Sequence, residues 1–104
     1  MTTFDDRERA FQTEFAMDEE QAFRVMSRRN KALGLWAGQE LGKSGQELDA
    51  YVREVMRSDL QQAGEEDVFA KVSGDLQGRV EPSVVRQRMA ELLDTARSQI
   101  QSGE

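Results

Sequence analysis

The longest stretch without a helix breaker lies at the start of the chain, where neither glycine nor proline occurs between residues 3 and 33. A helix that ran from Thr3 to Leu41 would be about 60 Å long, whereas each later helix is expected to reach only about 20 to 30 Å. Its apolar side chains would share one narrow sector of the helical wheel: Phe4, Phe11, Phe15, Ala22, Met26 and Leu33, with Phe23 at one edge and Trp36 at the other. The remaining helices therefore cannot cover this stripe along its whole length.

The rest of the sequence is divided by glycines and the single proline into three shorter amphipathic stretches. The second helix is predicted to open at Ser44 with Glu47 in a capping box, and to stop at Gly64. The third begins at the acidic run from Glu65, and the last begins near Pro82 or Ser83, because proline is tolerated in a first turn. The sequence thus predicts an all-α four-helix bundle. The expected core stripes are Leu48, Tyr51, Val52, Val55, Met56 and Ala63, then Val68, Phe69, Val72 and Leu76, then Val85, Met89, Leu92, Leu93, Ala96 and Ile100.

The length of the first helix, compared with that of the other three, predicts how the chain is organised. Residues 20 to 41 can pack on the other three helices, which leaves the three phenylalanines before Met17 beyond the core. Asp18 can cap a helix that starts at Glu19, so residues 1–18 are expected to form a mobile, helix-prone N-terminal extension that gains helix on binding. Residues 19–101 form the predicted four-helix domain, and residues 102–104 a frayed tail.

Composition excludes several functions. The 104 residues include no cysteine and no histidine, so sulfur or imidazole metal sites and triads built on those groups are absent. We assign no catalytic residue, metal or cofactor. The net charge of −6 disfavours nucleic acid and anionic lipid, and the N-terminus resembles neither a signal peptide nor a membrane span. These features favour a cytoplasmic protein that is monomeric when free and acts on another protein.

Two further patterns each have a structural and a functional interpretation. Gly42, Lys43 and Ser44 lack the earlier glycine of a phosphate-binding loop, so a turn between two helices is favoured. The basic run from Arg28 to Lys31 is interpreted first as a solvated helix face. The alternative is a nucleotide or anion site formed by Arg28, Arg29, Lys31 and Trp36, which would make the protein a helical regulatory module.

Several segments resemble the ζ-subunit ATPase inhibitors of α-proteobacteria, and the resemblance covers essentially the whole chain. These segments are MTTFDDRERAF at residues 1–11, Phe15-Ala16, Asp18-Glu19-Glu20, Arg28-Arg29-Asn30-Lys31, Leu33-Gly34-Leu35-Trp36-Ala37, Leu41-Gly42-Lys43-Ser44-Gly45, Glu66-Asp67-Val68-Phe69 and residues 86–93.

The resemblance implies a four-helix protein that inhibits ATP hydrolysis by the F-type ATP synthase. In that family the N-terminal segment inserts at a catalytic interface of the F1 head, so the expected partners are F1 subunits at that interface and at the central stalk. The protein would associate with the membrane-bound synthase without entering the membrane. The partner-binding residues that match the family's inhibitory segment are Thr2, Thr3, Phe4, Asp5, Asp6, Arg7, Phe11 and Phe15.

Two positions depart from the family pattern. Met17 stands where similar sequences commonly carry histidine, and Thr13 stands where a basic residue is common. Without an imidazole, a pH response near neutrality would have to come from a shifted carboxylate, the N-terminal amine or the partner.

Overall fold

The computed structural model describes residues 19–61 and 65–103, and within those ranges it contains four helices and no strand. They are α1 (Glu19–Glu40), α2 (Gly45–Gln61), α3 (Glu65–Asp75) and α4 (Pro82–Gln101). The predicted all-α, four-helix fold is confirmed. The predicted starts near Ser44, Glu65 and Pro82 each agree with the structure to within one residue.

α1 is the central helix of the bundle, because it packs along both α2 and α4, while α3 lies mainly against α2. The buried core cluster draws on all four helices, and partly buried side chains of Trp36, Leu41, Phe69, Val80 and Leu92 surround it. Its members are Leu33, Ala37, Tyr51, Val55, Val68, Val72, Leu76, Val85 and Met89. These are mostly the residues that the periodicity predicted. Val52 and Ala96 are also buried, whereas Ala63 lies outside the described residues.

Small residues let α1 and α2 approach closely. A Cβ atom added at Gly34 would lie 3.0 Å from the Cα atom of Val52, and one added at Gly38 would overlap Leu48 Cδ1. Since contact with a backbone atom cannot be relieved by rotating a side chain, Gly34 fixes the distance between the two helices. This contact sets how α1, and therefore its N-terminal end, is held on the bundle.

The turn between α1 and α2 ends the first helix with a glycine in the left-handed region. Gly42 has φ 79°, its amide donates to the carbonyl of Gln39, and the amide of Lys43 donates to the carbonyl of Gly38 at 2.9 Å. These two bonds form a Schellman motif, which satisfies carbonyls at the helix end. The prediction of a turn between two helices is confirmed.

Candidate functional site

The predicted effector segment precedes the described part of the chain. Residues 1–18 are outside it, and with them Met17 and the predicted capping residue Asp18. Every predicted partner-binding side chain belongs to this segment: Thr2, Thr3, Phe4, Asp5, Asp6, Arg7, Phe11 and Phe15. Their roles stay predictions, and the structure informs on the place where the segment joins the bundle.

That junction is the first part of α1, where all side chains from residue 19 to residue 24 are exposed. The first buried side chain of α1 is Val25, which is 4 % exposed. Ala22 belongs to the predicted stripe yet lies exposed, and Phe23 is 60 % exposed. Among the described residues, the stripe is therefore exposed at Ala22 and Phe23 and half-buried at Met26, and burial on α1 begins at Val25.

An open groove lies beside this junction and is defined here as the α1 groove. Its apolar lining comes from three helices: Phe23 of α1, Met56 near the end of α2 and Ile100 near the end of α4. Arg24, Ser27, Arg28 and Lys31 supply the polar side, and the volume is ≈ 450 Å³. A cleft that shares Phe23 and Met56 continues past Met26 and Asn30 to Asp59. Sequence reasoning placed Phe23 at the edge of the stripe but missed the groove, because it depends on how three helix ends meet.

Arg29 corrects the interpretation of the basic run as a solvated face. Its side chain is fully buried, and Asn30 is only 2 % exposed. The Nε atom of Arg29 donates to Asn30 Oδ1 at 2.7 Å, and Nη1 donates to Glu65 Oε1 at 3.0 Å. The Nη2 atom is buried without a hydrogen-bond partner among the described residues. Arg29 thus reaches from the interior of the bundle to the exposed Glu65 at the start of α3, and within the run only Lys31 is exposed.

The four residues of the predicted anion site occupy three different places. Arg28 and Lys31 line the α1 groove, and Arg28 also donates to Gln99 Oε1 at 3.1 Å. Arg29 is interior. Trp36 packs partly buried against the core, with the guanidinium of Arg88 5.3 Å from its ring centroid. The structure therefore brings only Arg28 and Lys31 together in one solvent-open groove.

A charged cluster between α2 and α3 surrounds the buried Tyr51. The tyrosine hydroxyl donates to Asp75 Oδ2 at 2.9 Å, and Lys71 Nζ lies 2.9 Å from both Asp75 Oδ2 and Glu54 Oε1. Burial raises the pKa of Tyr51, and the hydrogen bond to Asp75 raises it further. Burial lowers the pKa of Lys71, but its hydrogen bonds to Asp75 and Glu54 outweigh this effect, so the net shift is upward. The cluster therefore joins two helices through groups that satisfy one another.

A second link joins α3 to α4. Both terminal nitrogens of Arg86 donate to the carboxylate of Glu66, at 2.9 and 2.7 Å, and the guanidinium lies 3.7 Å from the ring centroid of Phe69. The hydrogen bond from Arg86 holds the pKa of Glu66 below its usual value. Such planar, bidentate pairing suits a structural contact between helices.

The described ranges hold no grouping of three acidic, histidine or cysteine side chains that could ligate a metal ion. None of the helices in those ranges combines the length and the apolar character needed to cross a bilayer.

Comparison with known proteins connects this geometry to a family. A family model described as ATPase inhibitor subunit zeta matches residues 1–99. A protein solved by solution NMR is 43% identical, with a TM-score of 0.69, and the match covers 79% of this chain and 96% of that one. No curated protein sequence matches the chain. The family match includes the segment before α1.

Proposed function

The chain belongs to the ATPase inhibitor subunit zeta family, and from this premise we propose that it inhibits ATP hydrolysis by the F1 part of the ATP synthase through residues 1–18. The family match supports an inhibitory role at the synthase. The assignment of that role to the N-terminal segment, and of its target to a catalytic interface of F1, is the proposal. Residues 19–101 would act as the holder that limits how far the segment enters.

The observation that carries the proposal is the exposure of the start of α1. No side chain between residues 19 and 24 is buried, and the core begins at Val25. The sequence predicts that the aromatic stripe continues upstream through Phe15, Phe11 and Phe4, and these side chains would then be available to a partner. Large aromatic side chains in excess of a core are typical of a binding face, because they bury much area when they enter a partner's pockets.

Inhibition by such a segment needs no chemistry from the inhibitor. An amphipathic segment can enter an apolar groove with its aromatic face inward, at the spacing of helix turns. If that groove lies between subunits that must close during each turnover, the occupied interface cannot close and hydrolysis stops. Phe4, Phe11 and Phe15 would serve as anchors, while Thr2, Thr3, Asp5, Asp6 and Arg7 would contact polar groups at the catalytic interface and the central stalk. We expect a protein with this role to be cytoplasmic and to associate with the membrane-bound synthase.

The proposal is tested by serine substitutions in the full chain, assayed as inhibition of ATP hydrolysis by F1 of the same organism. The triple variant at positions 4, 11 and 15 should lose most of its inhibition, because the anchors are removed while the bundle is unchanged. Leu35→Ser and Val84→Ser are matched controls, since these apolar side chains are 37% and 40% exposed on the bundle. Inhibition that is equal in the triple variant and in the controls contradicts the assignment.

The alternative is a nucleotide or anion sensor. It is favoured by one observation: Arg28 and Lys31 share the α1 groove with the exposed ring of Phe23, which is a suitable combination for a phosphate and a base. Titration with ATP, followed by NMR, decides it. Chemical shifts of Arg28 and Lys31 that change and saturate below cellular nucleotide concentrations support a sensing role. Spectra that do not change with ATP contradict the sensor alternative.

A further inference from the structure

The α1 groove combines an apolar lining with a basic flank. Three helices contribute the apolar side chains, which are Phe23, Met56 and Ile100. Phe23 is 60 % exposed, more than any other large apolar side chain in the described ranges. An aromatic ring left in water beside two further apolar side chains gains free energy when another apolar group covers it, so this surface favours a partner with apolar side chains of its own.

The basic flank is an exception in a chain whose net charge is −6. Its cations are Arg24, Arg28 and Lys31. Glu20 pairs with Arg24 at 2.9 Å, and Asp59 lies in the adjoining cleft, so the positive character is strongest around Arg28 and Lys31. Lys31 is exposed and forms no ion pair with any side chain of the described ranges. A partner that carries carboxylates therefore complements this flank.

The position of the groove along the chain indicates where its partner lies. Phe23 follows Glu19, the first residue of α1, by a little over one helical turn, which is about 6 Å along the axis. The inference rests on the proposed function at this step. If residues 1–18 occupy a cleft between F1 subunits, the groove lies at the mouth of that cleft, and the F1 surface that borders the cleft is the surface that can cover it.

We propose that the α1 groove docks an acidic, amphipathic helix of an F1 subunit at the rim of the cleft that receives residues 1–18. Arg28 and Lys31 are separated by about 4.5 Å of helix rise on α1, so carboxylates three or four residues apart on the partner helix match their spacing. Apolar side chains on the same face of the partner cover Phe23 and Met56, as an amphipathic helix does when it lies in a hydrophobic groove.

Docking at the groove strengthens the contact made by the N-terminal segment without blocking hydrolysis itself. Two contacts carried by one chain act together, because the first to form holds the second at an effective concentration in the millimolar range. Loss of the groove contact should therefore raise the concentration of the protein that is needed for inhibition. The maximal inhibition should stay the same, because the segment that enters the cleft is unchanged.

The docking site is tested first by the dissociation constant of the full chain for F1 of the same organism, measured by surface plasmon resonance. Phe23→Ser should weaken binding about tenfold, because an aromatic anchor is lost. Val84→Ser is the matched control, since Val84 is 40% exposed in the first turn of α4 and lies outside the groove, and it should leave binding unchanged. Equal dissociation constants for the two variants overturn the docking site.

A pair of charge reversals tests the basic flank. Lys31→Glu should weaken binding about fivefold at low salt, and the effect should shrink as the salt concentration rises. Arg53→Glu changes the net charge by the same amount at an exposed position of α2 outside the groove, so it controls for the charge of the whole protein. Equal weakening by both reversals overturns the proposal.

Photo-crosslinking identifies the occupant. The chain contains no cysteine, so Ser27→Cys places a single benzophenone label in the groove, and Ser83→Cys places the same label in the first turn of α4 as the control. Mass spectrometry of the complex with F1 should find the Ser27→Cys adduct on an F1 peptide with acidic residues three or four apart. An adduct on a peptide without acidic residues, or on a second copy of this chain, overturns the proposal.

Inhibition of ATP hydrolysis separates the docking site from the proposed function. Phe23→Ser should reach the same maximal inhibition as the wild-type chain, at a concentration about tenfold higher. If the wild-type chain inhibits and Phe23→Ser inhibits at the same concentrations, the docking site fails and the proposed function stands. If the wild-type chain binds F1 with the groove dependence described above but does not inhibit hydrolysis, the proposed function fails and the docking site stands.

Discussion

Gly34→Ala is expected to destabilise the bundle, although alanine is the better helix former. The added Cβ atom would lie 3.0 Å from Val52 Cα and 3.4 Å from Val52 Cγ2. Ordinary contacts begin at 3.4 Å, so α1 and α2 must separate by about 0.4 Å, the difference between the two values. Overpacking of this kind costs about 1–3 kcal/mol, and the gain in helix propensity returns about 0.5–1 kcal/mol. The net loss in the free energy of unfolding should be up to about 2.5 kcal/mol.

Gly74→Ala provides the matched comparison. Gly74 lies within α3, its φ is not positive, and a Cβ atom there would meet nothing within 4 Å. Only the propensity term applies, so this variant should gain about 0.5–1 kcal/mol. Urea unfolding followed by circular dichroism measures both values, and each 1 kcal/mol should also shift Tm by about 4–8 °C in a domain of this size.

Opposite signs for the two substitutions are the result that the structure requires. Val52→Ala should not rescue Gly34→Ala, because the closest atom is the Cα atom of residue 52 and remains in place. If both alanine variants are stabilised equally, the close approach of α1 and α2 at Gly34 is wrong, and with it the position given to the start of α1.

Three other substitutions test the contacts between helices. The lowered pKa of Glu66 stabilises the folded state above pH 4.5, the pKa of the unfolded chain, and this contribution is lost as the pH falls. Glu66→Gln should therefore make the free energy of unfolding less dependent on pH in the acidic range. An unchanged dependence contradicts the role of Arg86. The raised pKa of Tyr51 stabilises the folded state fully below pH 10.0, the pKa of the unfolded chain, and this contribution is lost as the pH rises. Tyrosinate absorbance should therefore appear only when the protein unfolds, and Tyr51→Phe should reduce the loss of stability at alkaline pH. Tyrosinate that forms in the native protein near pH 10 refutes this burial. Arg29→Ala should lower the free energy of unfolding by about 2–4 kcal/mol in urea, through a cavity and a lost ion pair, and a change within experimental error contradicts the interior position.

Local signals in the sequence were sufficient to predict where several of the helices begin and end. Gly42 stops α1 because its positive φ suits glycine, and Pro82 starts α4 because its missing amide hydrogen is not needed there. The acidic residues from Glu65 mark the start of α3 in the same way. Such signals act within a few residues of the chain, so they can be detected without knowing the tertiary structure.

Arg29 and the α1 groove could not be obtained from the same reasoning. A charged residue is usually assigned to a solvated face, yet Arg29 follows Val25 by four residues and precedes Leu33 by four, which places it on the buried face of α1. That spacing was the available signal. The partner Glu65 is 36 residues away, and the groove needs Met56 and Ile100 from two other helices. Both features depend on how the helices pack, which local periodicity does not specify.

The most direct test of the account compares ATP hydrolysis by F1 in the presence of the full chain and of a variant that begins at residue 19. Circular dichroism first establishes that the shortened variant keeps its helical bundle, whose core begins at Val25. The account predicts that the full chain inhibits hydrolysis and that the folded, shortened chain does not. Equal inhibition by both proteins would show that the bundle, and not the segment that precedes it, carries the function.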